Sequence, residues 1–314
     1  MKKVSVVIPT YQHAGFVCDA IDSVLSQTYQ DYELIVVDDG STDGTMEIVA
    51  KYGNQIAYLY QNNKGSAAAR NTGIRAATGE YVAFLDADDV WMPNKLELEV
   101  AFLDTHPSVG MLYSNYGYFG DRLAPAGTGF DRWPPVSGHV LKEIFLSNPI
   151  SSSAVLIRKS CFEKVGCFDE SIFAEDTDMW LRLAARFEMD YLRTPLAKYR
   201  FHQENKHLLA GAILIGQVAL RRKCLEANKT ILNKTDLKVM RRRYGEMLIG
   251  LGYWYLSQGL RREARGAFWE CVKLFPYHLI TYITWLTASA PSSLISWIKM
   301  LRRKLGMKPI TLKY

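Results

Sequence analysis

Four apolar runs of strand length, at Val4–Pro9, Tyr32–Asp38, Ile56–Tyr60 and Tyr81–Leu85, alternate with helix-like segments at Phe16–Gln27, Thr42–Tyr52 and Ser66–Ala77. Parallel strands need crossover connections, and a helix after each strand supplies them, so the alternation commits this stretch to βαβ units. The expected fold is α/β and Rossmann-like, a mostly parallel sheet with helices on both faces. Open sheets of this kind bind ligands beyond the carboxyl ends of their strands. Three of these strands end in polar clusters, Pro9-Thr10-Tyr11, Asp38-Asp39-Gly40-Ser41 and Asp86-Ala87-Asp88-Asp89, so the chemistry is expected along one edge.

The last cluster follows an apolar strand abruptly. Asp86 and Asp88 stand two residues apart, and in an extended segment their side chains would leave on the same side and could share one divalent cation. Oxygen ligands favour a hard ion such as Mg²⁺ or Mn²⁺, which commonly binds through one or two carboxylates plus substrate phosphates. The pattern fits a metal held against a diphosphate.

Farther on, Gly120–Gly138, with Trp133-Pro134-Pro135, reads as a long loop. A helix around Val140–Leu146, a strand at Ala154–Arg158 and a helix through Asp176–Arg186 follow, and after His202 the pattern is almost wholly helical. The charge changes there too. Residues 1–205 carry 18 Lys+Arg against 27 Asp+Glu, whereas residues 206–314 carry 20 against 5, balances of −9 and +15. A first domain over 1–205 and a basic helical region over 206–314 are therefore expected, the second suited by its charge to anionic lipid or nucleic acid.

Within that region Leu248, Leu251-Gly252, Tyr255, Ala264, Phe268 and Pro276 reproduce most of one tetratricopeptide unit, roughly Tyr244 to Tyr277. Without a second copy, a lone helical hairpin is favoured over a repeat array. Leu274 to Ile298 carries no charged side chain, but Pro276 and Pro291 interrupt it, so it is a poor spanning helix. Tyr282, Trp285 and Trp297, followed by Lys299 and Arg302-Arg303-Lys304, fit a segment lying in a membrane interface or, equally, a buried hairpin with a solvated basic end. The amino terminus lacks the apolar stretch of a signal peptide and reads as the first strand of a cytoplasmic protein. Five scattered cysteines without a Cys-x-x-Cys pair indicate neither a zinc site nor a disulfide framework.

Taken in order, Ser5-Val6-Val7-Ile8-Pro9-Thr10-Tyr11, Val36-Val37-Asp38-Asp39-Gly40-Ser41-Thr42-Asp43, Ala69-Arg70-Asn71, Gly79-Glu80-Tyr81 and Leu85-Asp86-Ala87-Asp88-Asp89 resemble the family 2 inverting glycosyltransferases, with the A-type glycosyltransferase fold. The resemblance continues through Val165-Gly166-Cys167-Phe168-Asp169-Glu170 and Glu175-Asp176-Thr177-Asp178-Met179-Trp180, and fades past about His202. It implies a nucleotide-diphosphate sugar donor, a UDP-sugar foremost. Pro9, Thr10 and Tyr11 would border the base, Asp39 would accept from a ring N–H, Arg70 would lie near the nucleotide, and Asp86 and Ala87 would complete the donor site. Asp88 would bind Mn²⁺ or Mg²⁺, with Asp86 at the ribose or metal and His202 a further metal or diphosphate contact. Asp176 resembles the general base that deprotonates the acceptor hydroxyl, so that one displacement inverts the anomeric carbon. Glu175 and Trp180 would meet the acceptor, Glu175 alternatively orienting its loop.

The implied acceptor is a saccharide or lipid-linked saccharide, in cell-surface polysaccharide or glycolipid synthesis at the cytoplasmic face of the cell membrane. The enzyme would be peripheral on the anionic membrane surface, with no nucleic acid partner. Processive members carry a Q-x-x-R-W motif and several spanning helices; neither is present, so one sugar per encounter is expected. Donor sugar and acceptor would be read by the Gly120–Gly138 and Ser147–Ser153 loops. Two other readings compete. A sugar-nucleotide nucleotidyltransferase needs a Gly-rich amino-terminal phosphate loop, which Pro9-Thr10-Tyr11-Gln12-His13 is not. A helical-repeat adaptor with a decayed catalytic domain is opposed by intact Asp39, Asp86, Asp88 and Asp176.

Overall fold

In a computed structural model the chain divides into two compact units, Met1–Leu208 and Leu209–Tyr314. The structure describes residues 2–121, 124–202, 210–277, 282 and 285. The first unit runs β1 (Val4–Thr10), α1 (Val17–Leu25), β2 (Tyr32–Asp38), α2 (Thr45–Val49), β3 (Ala57–Tyr60), α3 (Ser66–Ala76), β4 (Tyr81–Phe84) and β5 (Val90–Trp91). It continues with α4 (Lys95–Thr105), β6 (Val109–Gly120), α5 (Gly129–Arg132), α6 (Leu141–Leu146), β7 (Val155–Arg158), α7 (Lys159–Val165), α8 (Glu175–Ala184) and β8 (Glu188–Phe201).

All eight strands join one sheet in the order β3-β2-β1-β4-β7-β6-β8-β5. β1 to β4 pair in parallel, as their crossover helices require. β7 then runs antiparallel to both β4 and β6, β8 lies parallel to β6, and β5 closes the sheet antiparallel to β8. The sheet is thus parallel in its first half and mixed in its second. Two reversals bring β6 back to the direction of β4, so β6 ends on the edge where β1, β2 and β4 end. β6 and β8 are the longest strands of the sheet and were not anticipated from the sequence.

Alternate residues of β1 face opposite sides of the sheet. Val4, Val6 and Ile8 pack with Val17, Ala20, Ile21 and Val24 of α1 and with Leu96, Val100 and Leu103 of α4. On the other face Phe84 meets Phe162 of α7 edge-on at 6.4 Å and Phe168 at 5.4 Å. Val7 lies against α3, where a Cβ on Gly73 would stand 2.3 Å from Val7 Cγ1. The missing side chain at position 73 is what lets α3 rest directly on β1, with Ser66 and Arg70 in its first turns.

The second unit comprises α9 (Ala210–Asn228), α10 (Lys234–Ser257) and α11 (Arg261–Leu274). Asn233 caps α10 by accepting from Asp236 N at 2.8 Å, and Gly259, at φ 76°, lies in the turn between α10 and α11. A Cβ on Gly252 would lie 2.3 Å from Phe268 Cε1, so the glycine opens the slot that this fully buried ring fills. Among the described residues no helix is long and apolar enough to cross a membrane. Of the segment read as membrane-interfacial or hairpin, everything beyond 277 except Tyr282 and Trp285 lies outside the described residues.

Gly73→Ala should destabilise the first unit by about 1–3 kcal/mol, the usual cost of overpacking. Chemical denaturation checks this. Adding Val7→Ala should restore part of the loss, and equal loss in single and double variants would place the strain elsewhere.

Candidate active site

The edge begins with two loops stapled together. Gln12 sits at a left-handed φ of 55°, and its N–H donates to Ser41 Oγ at 3.0 Å while its side-chain amide bonds Thr42 in both directions. Pro9 and Thr10 are buried in β1, where Thr10 Oγ1 has no hydrogen-bond partner. Tyr11 is the exposed member of this cluster, at 46%. Asp38 Oδ1 accepts from Ser41 N at 2.8 Å and Oδ2 from the Tyr58 hydroxyl at 2.8 Å. Asp39 is buried and accepts from Gln61 Nε2 at 2.6 Å, Lys64 N at 3.0 Å and Gly65 N at 2.7 Å. Three internal donors fill most of the roughly four lone-pair sites of a carboxylate. Asp39 therefore holds the loop that leads into α3, and at most a remaining lone pair faces a ligand.

The segment after β4 corrects one expectation. It is not extended: Asp89 N donates to Asp86 O at 3.0 Å, closing a turn. In this turn each of the two carboxylates meets a different partner. Asp86 accepts from Arg70 Nη2 at 2.7 Å. Asp88 Oδ2 lies 2.9 Å from His202 Nε2. Asp89, fully buried, accepts from Ser153 Oγ at 2.5 Å and Arg200 N at 2.9 Å. Burial, then the neighbouring Asp88 and Asp86 charges, push its pKa well above the ordinary carboxylate value. Ala87, expected in the donor site, has its side chain in the core, so only its main chain is available to a ligand.

A cation fits this site in part. Asp88 and His202 bring one oxygen and one nitrogen donor together, a pair suited to Mn²⁺. Asp86, expected beside them, accepts from Arg70 through Oδ1. Among the described residues no group of three or more His, Cys, Asp or Glu could hold an ion. Two protein donors suffice for an ion that takes its other ligands from a diphosphate and water.

Arg70 joins the two sides of the edge. Its guanidinium is buried and reaches Asp86 through Nη2 and Glu175 Oε1 through Nη1 at 2.8 Å, with Phe168 under it at 5.6 Å. Burial alone would lower its pKa, but Asp86 and Glu175 together raise it above the usual arginine value. Ser66 also donates to Glu175 Oε1. The next residue, Asn71, fixes the segment before α8 by donating to Phe168 O at 3.0 Å and accepting from Phe168 N at 2.8 Å. The Ala69-Arg70-Asn71 stretch thus fastens the α8 entry to α3.

Asp176 follows Glu175 at the start of α8 and is partly buried. Its Oδ1 accepts from Thr177 N at 2.5 Å, and among the described residues no hydrogen bond engages Oδ2. Burial first, then Glu175, raises its pKa against the opposing pull of Arg70. Trp180, expected to meet the acceptor, has no exposed surface: it points into the core and packs edge-on against Phe168 at 6.2 Å. It is a packing residue.

Sequence reasoning missed Ser66 and Arg200 as members of the site and gave Asp89 and Ser153 no individual role. Arg200 donates through Nε to Asp88 O at 2.7 Å and through Nη2 to Asp19 at 2.6 Å, and its plane covers Phe119 at 4.3 Å. Its neighbour at i+2, His202, was the available signal, because alternate residues of a strand share a side.

The model of Glycosyl transferase family 2 matches residues 5–165. The chain is 34% identical over 206 residues to an uncharacterized glycosyltransferase of Rickettsia felis, a match covering 63% of this chain and 33% of that protein. It thus spans about a third of that relative's length. An uncharacterized glycosyltransferase of Nostoc sp. is 32% identical over 243 residues, 74% of each chain. The UDP-Glc:alpha-D-GlcNAc-diphosphoundecaprenol beta-1,3-glucosyltransferase WfgD of Escherichia coli is 39% identical over 115 residues, covering 36% of this chain and 45% of that one. Among solved structures, residues 1–349 of S. aureus TarS in complex with UDP-GlcNAc match with a TM-score of 0.65 at 20% identity, covering 87% of this chain and 81% of that one. The mannosyltransferase PcManGT of Pyrobaculum calidifontis, in complex with GDP-Man and Mn²⁺, matches at 0.59 and 20% identity, over 95% of this chain and 84% of that one. At such identities these two structures share the fold. The family match covers more than half of the residues and ends within α7, and together with the Nostoc relative it establishes that the chain belongs to glycosyl transferase family 2.

Proposed function

We propose that this chain is a metal-dependent, inverting glycosyltransferase that moves one sugar from a UDP-sugar to a hydroxyl of a saccharide or lipid-linked acceptor, in cell-surface polysaccharide or glycolipid synthesis. The observation that carries the reading is the buried Arg70 bridge between Asp86 at the end of β4 and Glu175 at the start of α8. It sets the acids suited to a diphosphate and the acid suited to an acceptor into one network. The name of the E. coli relative, which states a UDP-Glc donor and a lipid diphosphate-linked acceptor, supports the choice of substrates.

In this reading Thr10 and Tyr11 border the base, and Asp39 and Arg70 hold the walls of the donor site. A Mn²⁺ or Mg²⁺ ion held by Asp88 and His202 would set positive charge against the departing diphosphate. Glu175, already engaged by Arg70 and Ser66, orients the loop. Asp176 is the base, taking the acceptor proton at Oδ2, and its raised pKa gives it more proton affinity than an ordinary aspartate. One displacement then inverts the anomeric carbon. The basic region 206–314 places the enzyme peripherally on the anionic cytoplasmic face of the membrane.

Asp88→Asn should abolish the strengthening of UDP binding by Mn²⁺ in calorimetry and lower transfer by about 10²-fold or more, the scale of losing one charge-stabilising contact. Unchanged Mn²⁺-dependent binding would remove Asp88 from the metal site.

Asp176→Asn should keep donor and metal binding close to wild type while transfer falls by about 10²-fold or more, the scale of general base loss. A base must be ionised, so in the wild type kcat/KM should fall as pH drops through a value above 3.8, the ordinary aspartate pKa. The variant's residual activity should lack that acid limb. A wild-type rate, or lost donor binding, would reassign the base to Glu175 or Asp178.

A further inference from the structure

On the second unit, one exposed helix face carries a pattern that sugar transfer does not use. Arg261, Arg265, Trp269 and Lys273 recur every fourth residue of α11, with Arg262 beside them, and all five are exposed. Residues four apart lie on one side of a helix, so they form a continuous stripe. The adjoining side, Ala264, Ala267, Phe268, Cys271 and Val272, is buried. No acid interrupts the stripe. Glu263 and Glu270 fall on its flank, and Glu270 is engaged by Tyr244 and Arg222.

A large indole stands among these cations. Trp269 is 43% exposed, and its ring lies 5.4 Å from that of Trp285. Arg265 covers Trp285 at 5.9 Å. Leaving a tryptophan in water costs hydrophobic free energy, and a lone solvated basic face has no need of one. Cations beside an exposed indole suit one surface in particular: anionic headgroups meet the charge, while the amphipathic ring enters the boundary between headgroups and acyl chains.

We propose that the Arg261, Arg262, Arg265, Trp269, Lys273 face of α11 is the part of this enzyme that rests on the anionic lipid bilayer, with Trp269 entering the interface. This rests on the peripheral placement proposed above and assigns it to residues. The chain lies along the surface by this face, held by charge and by one aromatic wedge.

The test is partitioning of the full chain onto phosphatidylcholine vesicles with and without phosphatidylglycerol, at low salt. Wild type should bind only the anionic vesicles. Combined Arg261→Gln, Arg262→Gln and Arg265→Gln should weaken that binding on the order of 10²-fold, from about 1 kcal/mol or roughly fivefold per basic residue. The triple variant should keep the wild-type melting temperature and UDP-sugar hydrolysis, because glutamine sustains a helix and these residues lie outside the catalytic machinery. Brominated phosphatidylcholine in the anionic vesicles should quench tryptophan fluorescence, and less so in Trp269→Phe. If wild type ignores anionic vesicles, the peripheral placement itself fails. If wild type binds and the triple variant binds equally, the placement stands and the α11 assignment falls. Binding to soluble polyanions with equal strength, with no quenching by brominated lipid, would show that the face reads charge on a polymer and would overturn the bilayer.

Discussion

The architecture of the active edge depends on one buried cation. Arg70 cannot be taken out of water without partners, and its two are Asp86, 31% exposed at the side chain, and Glu175, 11% exposed. Removing one member of such a network leaves an uncompensated buried charge, at a cost of about 3–5 kcal/mol. The end of β4, the first turns of α3 and the first turn of α8 are therefore fixed to each other. Gly73 fixes α3 to β1 in turn, because only a residue without a side chain allows the approach to Val7. A local sequence choice on one helix thus sets the position of acids that lie 16 and 105 residues away.

That network also sorts the acids by task. Asp86 and Glu175 are committed to Arg70, Asp39 to the loop before α3, and Asp89 to Ser153 and the β8 backbone. Through Asp89 and the Arg200 bond to Asp88 O, the end of β8 is tied to the turn after β4, and this brings His202 to Asp88. Asp88 lies beside an imidazole, and among the described residues no hydrogen bond engages Oδ2 of Asp176. Two acids with separate surroundings suit separate roles, one toward a departing diphosphate and one toward an incoming hydroxyl.

The first half of the sheet was legible because β1, β2 and β4 are apolar runs closed by polar clusters, the pattern that buried parallel strands leave in a sequence. β6 and β8 were not. Past Ser114, β6 turns into half-buried tyrosines and glycines, and β8 mixes Arg193, Thr194, Pro195 and Lys198 with its apolar residues. Neither shows clean alternation, because their pairing is held by each other along an edge of the sheet and broken by bulges. That the candidate residues meet on one edge was readable from strand ends; their partners were not. Spacing suggested an extended segment with Asp86 and Asp88 on one side, whereas the chain turns there and each carboxylate meets its own partner. Trp180 stood beside the acids in sequence, but spacing does not show that Phe168 closes over its ring and buries it.

Because the base and the departing diphosphate are assigned to acids on opposite sides of the Arg70 bridge, the account's central claim is a single displacement with attack from the face opposite the leaving group. The most direct measurement needs no acceptor. UDP-sugars carry an α-linked sugar, so when the full chain hydrolyses one with Mn²⁺ present, early-time ¹H NMR reports the anomer first released, before mutarotation. The account predicts the β anomer in excess over its equilibrium share. First release of the α anomer would contradict it, since that outcome requires a second displacement or attack from the same face.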